Sequence, residues 1–359
     1  MPSGNATLDV QENVALDRLT TLGVGGRARW FARAATVDEV RAAHHWAADR
    51  GHPLIVLGGG SNLVVADEGV EGLVLHMAIS GIKIRADEGE TIFDAGAGEP
   101  WDDLVARAVA ERLAGVECLS GIPGSTGGTP IQNVGAYGQE VANTIQSVTV
   151  VDRHTNEIVE IDGRDCGFTY RHSRFKQQDA GRFTVCRVAF HMHEGSPTVT
   201  YPDVIAYIDR QGLRQPDVAD IRAAILAIRR GKGMVLDEND PDTRSVGSFF
   251  MNPIVPASAQ LALGAPGFAM SDCAVKVPAA WLIERAGFAK GHAHGRAGVS
   301  SKHPLAIINR GRASARDIVR LAADIKRSVI DRFGIWLRPE PIFIGFTGNE
   351  DVDFLQKAN

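Results

Sequence analysis

Two stretches of this sequence are rich in glycine in a way that regular structure would not tolerate. Gly58-Gly59-Gly60-Ser61-Asn62-Leu63 follows the apolar run Pro53–Leu57. Its three successive glycines allow positive φ and a close approach of main chain to a ligand, and successive N–H groups can form an anion-binding nest. The spacing is neither G-x-G-x-x-G nor a P-loop, since no Gly-Lys-Ser/Thr follows. The second tract, Gly121–Gly138, places six glycines and two prolines in 18 residues, a composition costly inside a helix or central strand. Gly121, Pro123, Gly124, Ser125, Gly127 and Gly128 form its first half, and Ile131, Gln132, Asn133, Gly135, Ala136 and Tyr137 its second. Two such loops, each after apolar segments, point to a pyrophosphate-bearing cofactor held outside a Rossmann site. Downstream, Tyr170-Arg171 sets an aromatic ring beside a planar guanidinium fork suited to a carboxylate. Taken alone, that pair is most often a surface or core-edge feature.

Five markers in order carry a resemblance. They are Gly59-Gly60-Ser61-Asn62, the Gly121–Gly138 tract, Tyr170-Arg171-His172-Ser173-Arg174-Phe175-Lys176, Gly247-Ser248-Phe249-Phe250-Met251-Asn252-Pro253, and Leu337-Arg338-Pro339-Glu340. From Leu19 to Glu340 the chain resembles the UDP-N-acetylenolpyruvoylglucosamine reductases, flavoenzymes of bacterial peptidoglycan synthesis. The resemblance implies an α+β architecture: an FAD-binding fold of the vanillyl-alcohol-oxidase (PCMH) type with a separate α+β substrate-binding domain. It implies FAD held by residues 1–78, completed by 336–359, and by 79–231, with substrate on 232–335. Neither glycine tract contains a histidine to tether the flavin, so FAD is expected to bind non-covalently.

The same resemblance implies ping-pong chemistry. NADPH reduces FAD and leaves, the UDP-sugar enolpyruvyl ether enters, and flavin N5 delivers hydride to C3. Ser248 gives the proton at C2, Arg171 and Glu340 act on the developing charge, and Tyr170 lines the substrate site. Tyr201 in Thr200-Tyr201-Pro202-Asp203 resembles the mobile-loop tyrosine of the type I subclass. Asn252, Lys232 and Lys290 are the implied substrate contacts, with Arg229 and Arg230 equally basic neighbours of Lys232. The alternatives are an oxygen-using FAD oxidase of the same superfamily and a non-enzymatic UDP-sugar-binding protein that has kept the fold. Met251 stands where relatives often carry a polar residue, and about ten residues extend the N-terminus.

These groups need elements to hold them. Thr36-Val37-Asp38-Glu39 has the form of a capping box, predicting a helix over 37–49 with Val40, Ala43 and Ala47 on one side. A second helix begins near Pro100-Trp101 with Leu104, Ala108 and Leu113 on one side. Val148–Val151 and Phe183–Phe190 read as strands, and Val218–Arg230 as a helix capped by Asp217. Asp237–Asp242 is an acidic loop and a candidate joint. Ser314 caps a final helix whose Ile318, Leu321, Ala322, Ile325 and Val329 repeat at helical spacing, and a strand over 342–346 closes the fold.

Composition bounds the rest. The 359 residues, 44% hydrophobic and 23% charged, suit packed domains rather than disorder. A formal charge of −5 offers no basic excess for a nucleic-acid backbone. No apolar stretch nears the ~20 residues of a membrane helix. Met1-Pro2-Ser3-Gly4-Asn5 lacks the features of a secretory leader, and the four cysteines lack CxxC spacing, so a cytoplasmic setting with free thiols and no metal site is expected.

Overall fold

The computed structural model describes residues 8–87, 89–271 and 273–358. They divide into two compact units. One takes the residues up to Val14, Ala28–Gly59 and Glu71–Gly231, and the other takes Ala15–Arg27, Gly60–Val70 and the residues from Lys232 on.

In the first unit, the capping box at Thr36 forms as its sequence predicts. Thr36 Oγ1 accepts from Glu39 N at 3.2 Å, the Glu39 carboxylate accepts from Thr36 N at 3.0 Å, and the helix runs Val37–Asp49. Val40, Ala43 and Ala47 are buried in one core with Ala32, Leu73 and Leu75. A four-stranded sheet follows the order Val10–Ala15, Arg27–Ala34, Val70–Met77, Leu54–Leu57, and its last pair is parallel with Leu54 opposite Leu73. The strand Leu54–Leu57 runs straight into Gly58, so the first glycine loop leaves from an element fixed by its sheet.

A second, antiparallel sheet is built around the twelve-residue strand Phe183–Glu194, flanked by Ile145–Asp152 and Glu90–Gly96. Ile158–Asp162 and Ile82–Asp87 complete its edges. The helix predicted near Trp101 spans Trp101–Ala110 and buries Trp101, Leu104 and Ala108. Leu113 is not on that helix: Arg112 turns the chain at φ +59°, and Leu113 pairs with Glu194 in a two-residue strand. The helix Val218–Gly231 is capped by Asp217, whose Oδ1 accepts from Ala219 N and Asp220 N at 2.9 Å. A further helix, Pro202–Arg210, has no counterpart in the sequence reading, although Val204 and Ile208 are its buried face.

The second unit is organised by the helix Ala315–Phe333. Ser314 and Asp317 form a capping box, Asp67 adds acceptors to Ala315 N and Arg316 N at 2.7 and 3.0 Å, and Gly334 at φ +67° ends the helix. Ile318, Leu321, Ala322, Ile325 and Val329 are buried as their spacing predicts. Lys326 on the same helix is also fully buried. Its Nζ donates to the carbonyls of Phe354, Leu355 and Lys357 at 3.0, 2.8 and 2.7 Å, closing the end of the helix Glu350–Gln356. Burial, with Arg338 adding, pushes Lys326 down to about 8. The expected closing strand is shorter, Ile342–Ile344, lies parallel to Leu63–Val65, and is followed by that last helix rather than ending the fold.

Candidate active site

The two glycine tracts meet through main chain. A Cβ on Gly59 would lie 2.7 Å from Gly124 Cα, and one on Gly58 would lie 2.5 Å from Ser125 Oγ. Gly59 N donates to that hydroxyl at 3.2 Å. Gly60, at φ +63°, has the Leu19 carbonyl where a side chain would begin, and Gly127 has Ala97 Cβ at 2.5 Å. These glycines are therefore required first by the protein's own packing. Bulk at Gly60 or Gly127 strikes Leu19 or Ala97 before it reaches any ligand. Gly128 is different, being exposed with nothing within 4 Å of its would-be Cβ. Loops packed this tightly present peptide groups rather than side chains, which is the surface a pyrophosphate needs. FAD fits that chemistry.

Gly121 is held on both sides of its peptide. Its N–H donates to Asp102 Oδ1 at 2.6 Å, and its carbonyl accepts from Arg229 Nη2 at 3.3 Å. Asp102, in the first turn of Trp101–Ala110, also takes both arms of Arg222 at 2.7 and 2.8 Å. Burial raises the Asp102 carboxyl, but the donors from Arg222 and Gly121 outweigh it and hold the group below the usual carboxylate range. Burial lowers Arg229, opposed by Tyr137 and Asp102. Sequence reasoning missed this bracing. Its only cue is Arg222 and Arg229 two turns apart on one helix. Of the three basic candidates, Arg229 lies against the tract, Arg230 is exposed, and Lys232 is half-buried just past the helix.

Further along, Pro123, Ser125 and Gln132 are half-buried, and Ile131 packs on the unit's core while its carbonyl accepts from Ser173 Oγ at 2.6 Å. Asn133 is 1% exposed, and its side chain organises the tract. Nδ2 donates to Glu140 Oε2 at 2.8 Å and Thr169 O at 3.2 Å, and Oδ1 accepts from Ala142 N at 3.1 Å. Gly135–Ala136 pairs with Gln139–Glu140, leaving Tyr137 and Gly138 at the hairpin tip with φ of +50° and +89°.

Tyr170 and Arg171 form the tip of another two-residue turn, in which Thr169 and His172 exchange both main-chain bonds at 3.0 Å. Arg171 sits at φ +59°. A bulky residue in this conformation is uncommon, and strain of that kind gathers at functional positions. Its Nη2 donates to Gly135 O at 2.7 Å and Nη1 to Asn133 O at 3.4 Å, and the guanidinium carbon lies 5.6 Å from the Tyr170 ring centroid. Arg171 thus sits on the second half of the second glycine tract. Tyr201 stands at the N-cap of Pro202–Arg210, edge-to-face with Tyr137 at 5.2 Å and 38% exposed.

The second unit carries the other candidates. Ser248, half-buried, follows Gly247 at φ +72° and precedes Phe249 and Phe250, which anchor it in the core. Phe249 N donates to Leu305 O at 2.8 Å, Glu340 N to Phe249 O at 2.9 Å, and Met251 N to Arg338 O at 2.9 Å. Phe250 lies opposite Pro339. The Ser248 and Glu340 segments are therefore zipped together, main chain to main chain. Ser61 lies half-buried in the turn after Gly60. Asn62 Nδ2 donates to Glu340 O at 3.3 Å, and Asn62 O accepts from Ile342 N at 3.0 Å. Asn252 Oδ1 accepts from Ala279 N at 2.9 Å, at the start of the helix Ala279–Arg285, and Lys290 is exposed. Burial pushes the Cys118, Cys166 and Cys186 thiols up to about 12, which removes them as nucleophiles at neutral pH. No helix among the described residues is long and apolar enough to cross a membrane.

Known proteins match along most of this chain. The C-terminal domain of the UDP-N-acetylenolpyruvoylglucosamine reductases matches residues 240–344, and an FAD-binding domain matches residues 28–162. A UDP-N-acetylenolpyruvoylglucosamine reductase of Salinispora arenicola is 46% identical over 96% of this chain and 98% of its own length. One from Thermobifida fusca is 45% identical over 95% and 99%. The crystal structure of the MurB reductase of Thermus caldophilus covers 94% of this chain and 100% of its own, at 27% identity and a TM-score of 0.65. The expected α+β architecture with an FAD-binding domain is borne out by these matches. Held at this identity over nearly its full length, the chain belongs to the UDP-N-acetylenolpyruvoylglucosamine reductase family.

Proposed function

We propose that this chain reduces UDP-N-acetylglucosamine enolpyruvate to UDP-N-acetylmuramate, with FAD bound non-covalently and NADPH as reductant, in the cytoplasmic synthesis of peptidoglycan precursors. The observation that carries the site assignment is the zipped pair of segments bearing Ser248 and Glu340, with Glu340 N on Phe249 O at 2.9 Å. The chemistry supplied by bound FAD is hydride carriage from NADPH to C3 of the enolpyruvyl group.

This chain's residues do the remainder. Arg171 pairs its planar fork with the enolpyruvyl carboxylate, and Tyr170 lines the site beside it. Glu340 and Arg171 stabilise charge developing at C2 and its carboxylate. Ser248 Oγ donates the proton that C2 takes up. Lys232, Asn252 and Lys290 meet the UDP portion, and Tyr201 covers the uridine as in the type I subclass. Residues 1–78 with 336–359, together with 79–231, hold the cofactor, while 232–335 holds substrate. In support, the main-chain glycine tracts suit a pyrophosphate, and Arg171 rests on one of them.

Purified protein should be yellow. Under anaerobic conditions NADPH should bleach the flavin, and the UDP-sugar enolpyruvyl ether should restore its absorbance. Reoxidation by oxygen alone, with none by the enolpyruvyl ether, would overturn the reading in favour of an oxidase.

A further inference from the structure

We infer that Asn62, at the end of the first glycine loop, is a positioning residue for Glu340; this rests on the role given to Glu340 above. Glu340 lies between Pro339 and Pro341, so its neighbours supply no N–H to fasten the segment. Its own N–H is committed to Phe249 O at 2.9 Å, on the residue directly after Ser248. The Glu340 carbonyl receives Asn62 Nδ2 at 3.3 Å, and the next available N–H, that of Ile342, donates to Asn62 O at 3.0 Å. Asn62 thus spans Pro341, gripping the chain on both sides of a residue that cannot donate.

The grip has firm backing. Leu63–Val65 continues from Asn62 as a strand parallel to Ile342–Ile344, with Leu63 opposite Ile342. Gly60, two residues earlier, is locked against Leu19, and its carbonyl accepts from Thr21 N at 3.1 Å. Any movement of the loop on the cofactor side is therefore transmitted to the Glu340 main chain, and through Phe249 to the Ser248 segment. A side-chain amide is suited to this post because it presents an N–H donor to the Glu340 carbonyl while the Asn62 main-chain carbonyl takes the Ile342 N–H. Aspartate, of the same shape, presents only oxygen to the Glu340 carbonyl.

The test uses Asn62→Asp and Asn62→Ala, with Glu340→Gln as reference. Flavin content per chain is measured first, and both half-reactions are then timed per bound flavin under anaerobic conditions. The ratio of the substrate-driven rate to the NADPH-driven rate should fall about 10- to 100-fold in both Asn62 variants, with KM for the UDP-substrate changed much less than kcat. In the flavin-free proteins, hydrogen exchange at the amides of Glu340 and Ile342 should be faster than in the unaltered chain. Loss of flavin with an unchanged ratio and unchanged exchange would make Asn62 a cofactor contact alone and overturn the inference. So would an unchanged ratio with full flavin. If Glu340→Gln itself leaves the ratio unchanged while Asn62→Asp lowers it, the role given to Glu340 fails and the coupling does not run through it.

Discussion

Replacing Arg171 separates backbone strain from ligand binding. At φ +59° a residue with a Cβ bears about 1–2 kcal/mol that glycine avoids. The guanidinium also donates to Gly135 O at 2.7 Å and Asn133 O at 3.4 Å. A charged donor at good distance contributes about 1.5–3 kcal/mol, and the longer contact adds little. Arg171→Ala should therefore destabilise the first unit by about 2–3 kcal/mol, and Arg171→Gly by about 1 kcal/mol less, because the strain goes with the side chain. Urea unfolding of the flavin-free proteins reads the difference between the two variants. Arg171→Lys tests the other half of the reasoning. It keeps the charge and loses the fork, so substrate-driven flavin reoxidation should slow by about 10²–10³-fold. A glycine variant no more stable than the alanine variant would refute the strain argument, and a lysine variant reoxidised at the unaltered rate would refute the carboxylate role.

Other expectations follow from single contacts. Gly127→Ala should lose stability and flavin together, because its Cβ meets Ala97, whereas Gly128→Val, in open space, should fold normally and weaken only FAD retention on dialysis. A colourless, unstable Gly128→Val protein would contradict this. His44 is pushed from 6.5 to about 4 by burial, with Arg153 adding. Its contribution is whole above pH 6.5 and is lost as pH falls toward 4, by roughly 3 kcal/mol. The stability of His44→Gln should accordingly depend less on pH across that window in chemical-denaturation curves, and identical pH slopes would remove His44 as the cause. Tyr201→Ala should raise KM for the UDP-substrate with little change in flavin reduction by NADPH. Equal slowing of both half-reactions would end its assignment to the uridine.

What the sequence disclosed depended on range. The helices Val37–Asp49 and Ala315–Phe333 were legible because their caps, Thr36 with Glu39 and Ser314 with Asp317, lie within four residues. The helix Pro202–Arg210 was not, because Tyr201-Pro202 reads equally as a turn and only Val204 and Ile208 mark its apolar face. The last helix, Glu350–Gln356, draws its closing donors from Lys326, which no local pattern connects to it. The same limit applies at the candidate site. Glycine tracts announce themselves, yet their packing partners do not, since Leu19 and Ala97 meet Gly60 and Gly127 only in three dimensions. Asp102 and Arg222, 120 residues apart, left no motif. Ser248 and Glu340 are candidates through resemblance alone, because the segments of an ordinary turn serine and a loop glutamate are joined only once Phe249 and Glu340 share a hydrogen bond.

The central claim is that Ser248 protonates the substrate carbon, and a single-turnover experiment reaches it directly. NADPH-to-flavin transfer needs no proton from this side chain, whereas reduction of the enolpyruvyl ether leaves an electron pair at C2 that must take one. The measurement is anaerobic flavin absorbance in the unaltered protein and in Ser248→Ala, first with NADPH and then with the UDP-sugar enolpyruvyl ether. The account predicts flavin that is still reduced by NADPH and is reoxidised by substrate about 10²–10⁴-fold more slowly in the alanine variant. Equal reoxidation rates in the two proteins would contradict it and leave Ser248 as a turn residue before two core phenylalanines.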